Sequence, residues 1–298
     1  MQDFRGKTAF ITGGASGIGL GMARAFGREG MNVVIADIDL EAGRAAAQAL
    51  ATEQIKAQAV RIDVADRAAV REAALEAIAA FGKIHLVCNN AGVATGGPLG
   101  TVSERDWDWI VDVNLKGVVY GVETFVPLIQ SHGEGGHIVN TASIAGLVSG
   151  AGAEPYSATK YAVVAMSEGW AQQLAPMNIG LSVLCPGYVR TRIADSARAR
   201  QDRYGGVQPV RGDSFAAAGS NVAESVAAGI DPDIVGARVV EAVRDGNLYI
   251  FTDPRFRDVV EFRFAAIRAG FDQAAASPAL KSVKAWAPLT YPPPETPQ

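Results

Sequence analysis

Seven short apolar runs rich in Val and Ile punctuate this chain, and they lack the inside/outside alternation of a sheet that faces water on one side. They are "TAFIT" (8–12), "NVVIAD" (32–37), "AQAVRID" (57–63), "IHLVCN" (84–89), "HIVNTAS" (137–143), "LSVLCPG" (181–187) and "LYIFT" (248–252). Strands of that kind are buried on both faces, which requires a parallel sheet covered by helices on each side. Ala-rich segments of helical period lie between them, at about 17–29, 40–52, 66–81, 103–130, 155–175 and 232–244, with starts at Asp66 and Ser103 and a stop at Gly82. The pattern predicts an α/β fold: a doubly wound, Rossmann-type parallel sheet of seven strands in three αβα layers. No linker interrupts it before residue 271, so one domain is expected over 1–270, with 271–298 as a C-terminal extension.

A chain of 298 residues with 49% hydrophobic content can bury a substantial core. Its net charge of −4 offers no field to hold nucleic acid. The N-terminus "MQDFRGKTAFITGG" lacks a cationic segment followed by an apolar core, and no run reaches membrane-spanning length, so neither a membrane nor an export route is expected, and the cytoplasm is. Cys88 and Cys185 lie inside apolar runs and read as reduced, buried thiols. His85, His132 and His137 have no Cys or carboxylate partner at metal-ligand spacing, and no metal is assigned.

The first strand runs straight into "TGGASGIG" (12–19) and then into a helix. Glycine lets the backbone turn tightly and approach a pyrophosphate, whose charge suits the N–H groups and dipole at a helix start. The spacing Gly13, Gly17, Gly19 is longer than the literal GxGxxG fingerprint. Asp37 closes the second strand, where a carboxylate can accept both ribose hydroxyls of NAD and repel the extra phosphate of NADP. It could instead cap the next helix, a task Asp39 could also perform. No Arg or Lys stands at Ser16 or Ile38 to hold a 2′-phosphate, so NAD is favoured over NADP.

"PYSATK" (155–160) sets Tyr156 and Lys160 one helical turn apart, a spacing that any first turn of a helix can show. The order of "TGGASGIG", "NNAG" (89–92), Ser143, "YSATK" (156–160) and "PGYVRT" (186–191) decides otherwise: the chain resembles the short-chain dehydrogenase/reductase (SDR) family over residues 5–252. The resemblance implies that Gly13, Ser16, Gly17, Ile18 and Gly19 cradle the cofactor and that Asp63 and Val64 contact its adenine. It implies that Asn89, Asn90, Ala91 and Gly92 form the turn beside the ribose, and that Pro186, Gly187, Val189 and Thr191 orient the nicotinamide amide. Asn114 matches the asparagine that anchors a relay water, and Ser143, Tyr156 and Lys160 match the other catalytic positions. Taken singly, Asn114 could be a polar residue inside a long helix and Ser143 an N-cap.

Hydride transfer belongs to the nicotinamide, which leaves the protein to position an alcohol carbon and manage one proton. Tyr156 is the expected acid/base; moving a phenol pKa from about 10 to about 7 takes roughly 4 kcal/mol of preferential stabilisation of the phenolate. One nearby cation contributes about 1–3 pKa units, and Lys160 is the expected source, with the positive nicotinamide supplying the remainder. Ser143 is expected to hydrogen-bond the substrate oxygen.

The segment 190–231, rich in Gly, Ala and Arg, reads as a substrate lid carrying Arg190, Arg192, Arg198, Arg200, Arg203, Arg211, Tyr204 and Phe215, either a solvated charged face or an anion site. "SFAAAGSNVAESVAAGIDPD" and "VRDGNLYIFTDPRFRD" resemble the bulkier family members that oxidise benzylic secondary alcohols, including Cα-dehydrogenases of lignin-type aryl ethers. Gly96, Gly97, Ala145 and Gly146 leave room for such a small-molecule substrate. A 3-hydroxyacyl/3-ketoacyl reductase and a non-catalytic NAD-sensing regulatory protein are the alternative readings. The resemblance further implies a homodimer or homotetramer built on the 103–130 and 155–175 helices. Phe256, Val260, Phe264 and Ile267 form an apolar stripe on a helix expected at 254–270, and the proline-rich tail beyond carries Trp286 and Tyr291 as candidate anchors for a neighbouring subunit or the substrate entrance.

Overall fold

Seven strands form a single sheet: β1 (Thr8–Thr12), β2 (Asn32–Asp37), β3 (Ala57–Arg61), β4 (Leu86–Asn89), β5 (Gly136–Thr141), β6 (Ile179–Cys185) and β7 (Tyr249–Phe251). All neighbours pair in parallel, in the order β3-β2-β1-β4-β5-β6-β7. The computed structural model describes residues 1–207 and 222–283. They divide into two units, Met1–Phe256 and the part beginning at Arg257.

Successive residues of the central strands go to opposite faces, and both faces are dry. Phe10 and Val34 join one core, Ile11, Val33 and Ile35 the other, and all are fully buried. The second core is filled by α1 (Gly17–Arg28) through Met22 and Phe26, by α2 (Leu40–Thr52) through Leu50, and by α8 (Pro232–Asp245) through Val235, Val239 and Val243. The first is filled by α3 (Arg67–Phe81) and by the long helix that follows β4, with Trp109 and Phe125 as its largest contributions. Each such aliphatic or aromatic side chain contributes about 1.5–3 kcal/mol on burial, which is why the alternation-free runs are legible as strands.

The caps fall where the sequence sets them. Asp66 accepts N–H groups of Ala68 and Ala69, Ser103 and Asp106 form a reciprocal capping box, and Gly82 ends α3 at φ +81°. Two departures matter. The single helix expected over 103–130 is α4 (Glu104–Val111) and α5 (Gly117–His132) joined by a π-helical turn at Asp112–Lys116. The helix expected from 254 begins only at Arg257 as α9 (Arg257–Ala276), past a 3-10 turn at Pro254–Phe256. Asp253 accepts the Arg255 N–H and pairs with its guanidinium there, and Phe256 leaves the expected stripe to lie beside Gly187 and Tyr188.

Between 190 and 231 the described residues hold two 3-10 segments, Ile193–Ala199 and Asp202–Tyr204, and the short α7 (Val222–Ala227). Arg211 and Phe215 lie outside the described residues, as do Trp286 and Tyr291. No helix among the described residues is long and apolar enough to cross a membrane.

Candidate active site

The strand order reverses between β1 and β4, and ligands of doubly wound sheets sit outside the carboxyl ends of the strands at such a point. Gly13 and Gly17, at φ +63° and +53°, turn the chain from β1 into α1. A Cβ on Gly19 would lie 2.1 Å from the Gly13 carbonyl oxygen, so the turn tolerates no side chain there. Ser16 precedes α1 in extended conformation with its hydroxyl uncommitted to a cap, and the first turn holds no acidic residue. The N–H groups and dipole of a 12-residue helix therefore face the cleft beside a free hydroxyl, which suits a pyrophosphate. Ile18 packs toward the core behind the turn.

Asp37 is not a helix cap. Asp39 caps α2 by accepting the Ala42 N–H, whereas Asp37 accepts the N–H of Ala15 in the glycine turn and that of Asp39, both at 3.1 Å. Burial pushes the Asp37 carboxyl above its usual range, opposed by those two N–H donors and by the Arg198 cation. The two sides of the cleft are joined by a residue that sequence inspection passed over: the Thr12 hydroxyl accepts the N–H groups of Asn90 and Ala91 and donates to the Cys88 carbonyl. The Asn90 amide donates to the Thr12 carbonyl at 2.9 Å, while Asn89 is buried and bonded to Asn140. Asn90 thus lines the cleft, and Asn89 braces the sheet.

The π-helical turn directs Asn114 inward, fully buried. Its side chain grips Val93 at both ends, accepting the N–H at 2.8 Å and donating to the carbonyl at 2.9 Å, and a third bond reaches Thr159. Gly92 lies between Asn114 and Lys160, since a Cβ there would be 3.4 Å from the Asn114 oxygen and 3.6 Å from the Lys160 Nζ.

Pro155 occupies the first turn of α6 (Glu154–Leu174), where its missing N–H leaves no gap. One turn on, Lys160 is 3% exposed and donates from Nζ to the Thr141 carbonyl at 2.9 Å, 5.5 Å from the centre of the Tyr156 ring. Among the described residues no carboxylate pairs with it, and burial lowers its pKa to about 8. The Tyr156 phenol is pushed above its ordinary value by burial, opposed by a hydrogen bond with Ser143. Ser143 follows β5, accepts the Ala145 N–H as the N-cap of a 3-10 turn, and shares a hydrogen bond with Tyr156.

The remaining wall comes from 186–193. The Pro186 carbonyl accepts the Ile144 N–H, the Gly187 N–H donates to Thr252, and Thr191 packs against Gly17. Val189 is buried and pairs with Ile230. Val64 is buried against Gly117, but Asp63 is held by the lid: it accepts Gln201 Nε2 at 2.9 Å and pairs with Arg203 at 2.8 Å. Among the described residues, the arginines of this segment are paired. Arg190 pairs with Asp231, Arg192 with Asp195, and Arg200 with Asp106 while lying over the Trp109 ring; Arg198 donates to the carbonyls of Arg192 and Asp195. Ser196 accepts the Ala94 N–H, and Tyr204 donates to Asp112 in the π turn. Nothing in the spacing of these residues announced those partners.

At the opposite, amino ends of the strands, His85, His132 and Glu134 do come together, within 4.8 Å of one another, contrary to the expectation from their spacing. The ring nitrogens are already used. His85 Nδ1 accepts the Thr8 N–H, so Nε2 carries the proton and donates to Glu134; His132 accepts the Glu134 N–H and donates to the Ile84 carbonyl. The network is satisfied by protein groups alone. Both cysteines are buried, and burial pushes the Cys185 thiol up to about 12 and that of Cys88 higher still.

Comparison with known proteins gives the family and the fold. The family model described as short chain dehydrogenase matches residues 7–202. A C alpha-dehydrogenase of Sphingobium sp. is 38% identical over 90% of this chain and 87% of its own length. Among solved structures, a short chain dehydrogenase/reductase from Burkholderia phymatum in complex with NAD superposes with a TM-score of 0.85 at 38% identity, covering 91% of this chain and 97% of that one. The apo form of LigD from Sphingobium sp. superposes with a TM-score of 0.74 at 35% identity, covering 90% and 98%.

Proposed function

Since the chain belongs to the short-chain dehydrogenase/reductase family, we propose that it transfers a hydride between NAD and a secondary alcohol or its ketone, with Tyr156 as the acid/base. The observation that carries this reading is the convergence of Ser143, Tyr156 and Lys160 beside the glycine turn and Asp37 at the carboxyl ends of the strands. The glycine turn, the Ser16 hydroxyl uncommitted to a cap and the half-buried Asp37 carboxylate fit a dinucleotide without an extra phosphate. A nicotinamide held there would supply the hydride chemistry.

The chain's own residues manage the proton. Ser143 orients the phenol and shares its hydrogen bond with the substrate oxygen. Tyr156, pushed up by burial, stands protonated at neutral pH and donates to a ketone oxygen; in the oxidising direction it must lose that proton. Lys160, charged below a pKa of about 8 and 5.5 Å from the centre of the Tyr156 ring, favours the phenolate electrostatically and would be the group to hold a nicotinamide ribose. Asn114 holds Val93, and with it the 90–93 turn, in fixed position beside the cleft.

For the substrate, the relative named C alpha-dehydrogenase supports a benzylic or otherwise bulky secondary alcohol. The deciding experiment follows NADH absorbance over a panel of aryl and aliphatic secondary alcohols, a steroid and a 3-ketoacyl thioester, with NAD and NADP in parallel. Turnover with aryl alcohols and NAD is expected; a preference for NADP would overturn the role of Asp37, and activity on the thioester alone would overturn the substrate class. Tyr156→Phe should bind NAD and turn nothing over; an active variant would overturn the acid/base assignment.

A further inference from the structure

Helix α9 spans Arg257–Ala276 without one buried residue. On one face its apolar side chains are large and exposed: Phe271 is 72% exposed, and Phe264 and Ile267 are exposed as well. A helix of this length gains most of its stability from packing rather than from propensity, so a face of this kind is built to be covered. Val260, Phe264, Ile267 and Phe271 follow one another at spacings of four, three and four residues, the heptad seam of a helix that pairs with another helix. The three cations Arg257, Arg263 and Arg268 are matched by three anions, Asp258, Glu261 and Asp272, so the polar side carries no net charge and lacks the basic face that holds a helix on an anionic lipid surface.

We propose that α9 docks antiparallel on the α9 of a second copy of this chain. The charges beside the seam select both partner and direction. In the antiparallel register Phe264 meets Ile267 and Val260 meets Phe271, and Glu261 of each copy faces Arg268 of the other, twice by symmetry. Glu261 then bridges the Arg257 of its own helix and the Arg268 of the second. The opposite flank brings Arg263 to Gly270, with no conflict, whereas a parallel pair would set Arg263 against Arg268, cation against cation.

The test uses the full chain and sedimentation mass. Phe264→Asp together with Ile267→Asp should halve the mass at unchanged circular dichroism, because neither side chain is part of a core. Glu261→Arg and Arg268→Glu should each weaken association about tenfold, and the charge-swapped double variant should regain it. A mixture of the single variants Phe264→Cys and Ile267→Cys should give a covalent dimer of one of each on mild oxidation, with no competition from the buried Cys88 and Cys185. An unchanged mass in the double Asp variant would overturn the proposal. So would a halved mass without the cross-link and without charge-swap recovery, which would place α9 on a different surface of the second copy.

Discussion

The Ser143–Tyr156–Lys160 corner and the arginine-rich segment after β6 are held in opposite ways. At the corner, Asn114, Lys160 and Ser143 are buried and bonded chiefly to backbone groups of neighbouring elements, Val93, Thr141 and Ala145. In the lid, Arg192, Arg198 and Arg203 reach over the surface to carboxylates and carbonyls from partly exposed positions. Buried polar groups cost a great deal to leave unpaired, whereas exposed ion pairs contribute about 0–1 kcal/mol. The corner is therefore held by buried bonds and these three arginines by surface ones, while Arg200 and Tyr204 of the same segment are nearly buried against Asp106 and Asp112.

The largest effect tests the corner directly. Lys160→Met should lower turnover by about 10²–10⁴-fold, the usual contribution of assisted acid/base catalysis, as read by initial rates at saturating NAD. A loss below tenfold would break the contrast, because the lysine would then be a structural group.

Next comes its stability signature. Burial lowers Lys160 from 10.5 to about 8, so below pH 8 the folded protein keeps a charge on a buried amine at full cost. Between about 8 and 10.5 the unfolded chain still binds a proton that the folded chain has released, and stability rises with pH across that window. At about 1.4 kcal/mol per pKa unit the relief is about 3 kcal/mol. Urea unfolding at pH 7 and pH 10 should show Lys160→Met more stable than the parent at the lower pH, with the difference shrinking at the higher.

A smaller effect is expected at Asn114→Ala, which leaves the Val93 N–H and carbonyl unpaired in a buried site and should cost about 1–3 kcal/mol in urea unfolding. Retained stability with lost activity would move Asn114 from positioning to chemistry. The smallest belongs to the lid. Arg203→Ala removes one exposed partner of Asp63, so stability should change by less than about 1 kcal/mol. If Asp63 exchanges the lid for adenine, NAD affinity measured by calorimetry should rise by up to about fivefold, corresponding to about 1 kcal/mol. Weaker NAD binding in that variant would show that the lid and the dinucleotide bind Asp63 together.

Much of the fold and of the corner was legible in one dimension. The seven runs, the caps at Asp66 and Ser103, the glycine turn and the Tyr156–Lys160 spacing are local patterns, and local patterns carry their own physics: a period, a missing side chain, one helical turn. Less legible were the features that depend on where distant segments meet. The π turn at Asp112–Lys116 has no sequence mark, yet it sets Asn114 against Val93. Thr12 was an ordinary strand residue until Asn90 and Ala91 arrived beside it. Histidines 85 and 132 looked unpartnered because Glu134 reaches His85 only through the packing of β4 against β5.

The sequence by itself determined the parallel sheet, the position of the glycine turn and the residue types at the Ser143–Tyr156–Lys160 corner, because hydrophobic period and glycine placement act over a few residues. Tertiary structure alone decided that Asp37 serves the turn while Asp39 caps α2, that Asp63 is shared with Gln201 and Arg203, and that the Lys160 ammonium rests on Thr141. Those are questions of which donor reaches which acceptor once water is excluded, and only the folded chain brings the partners within reach.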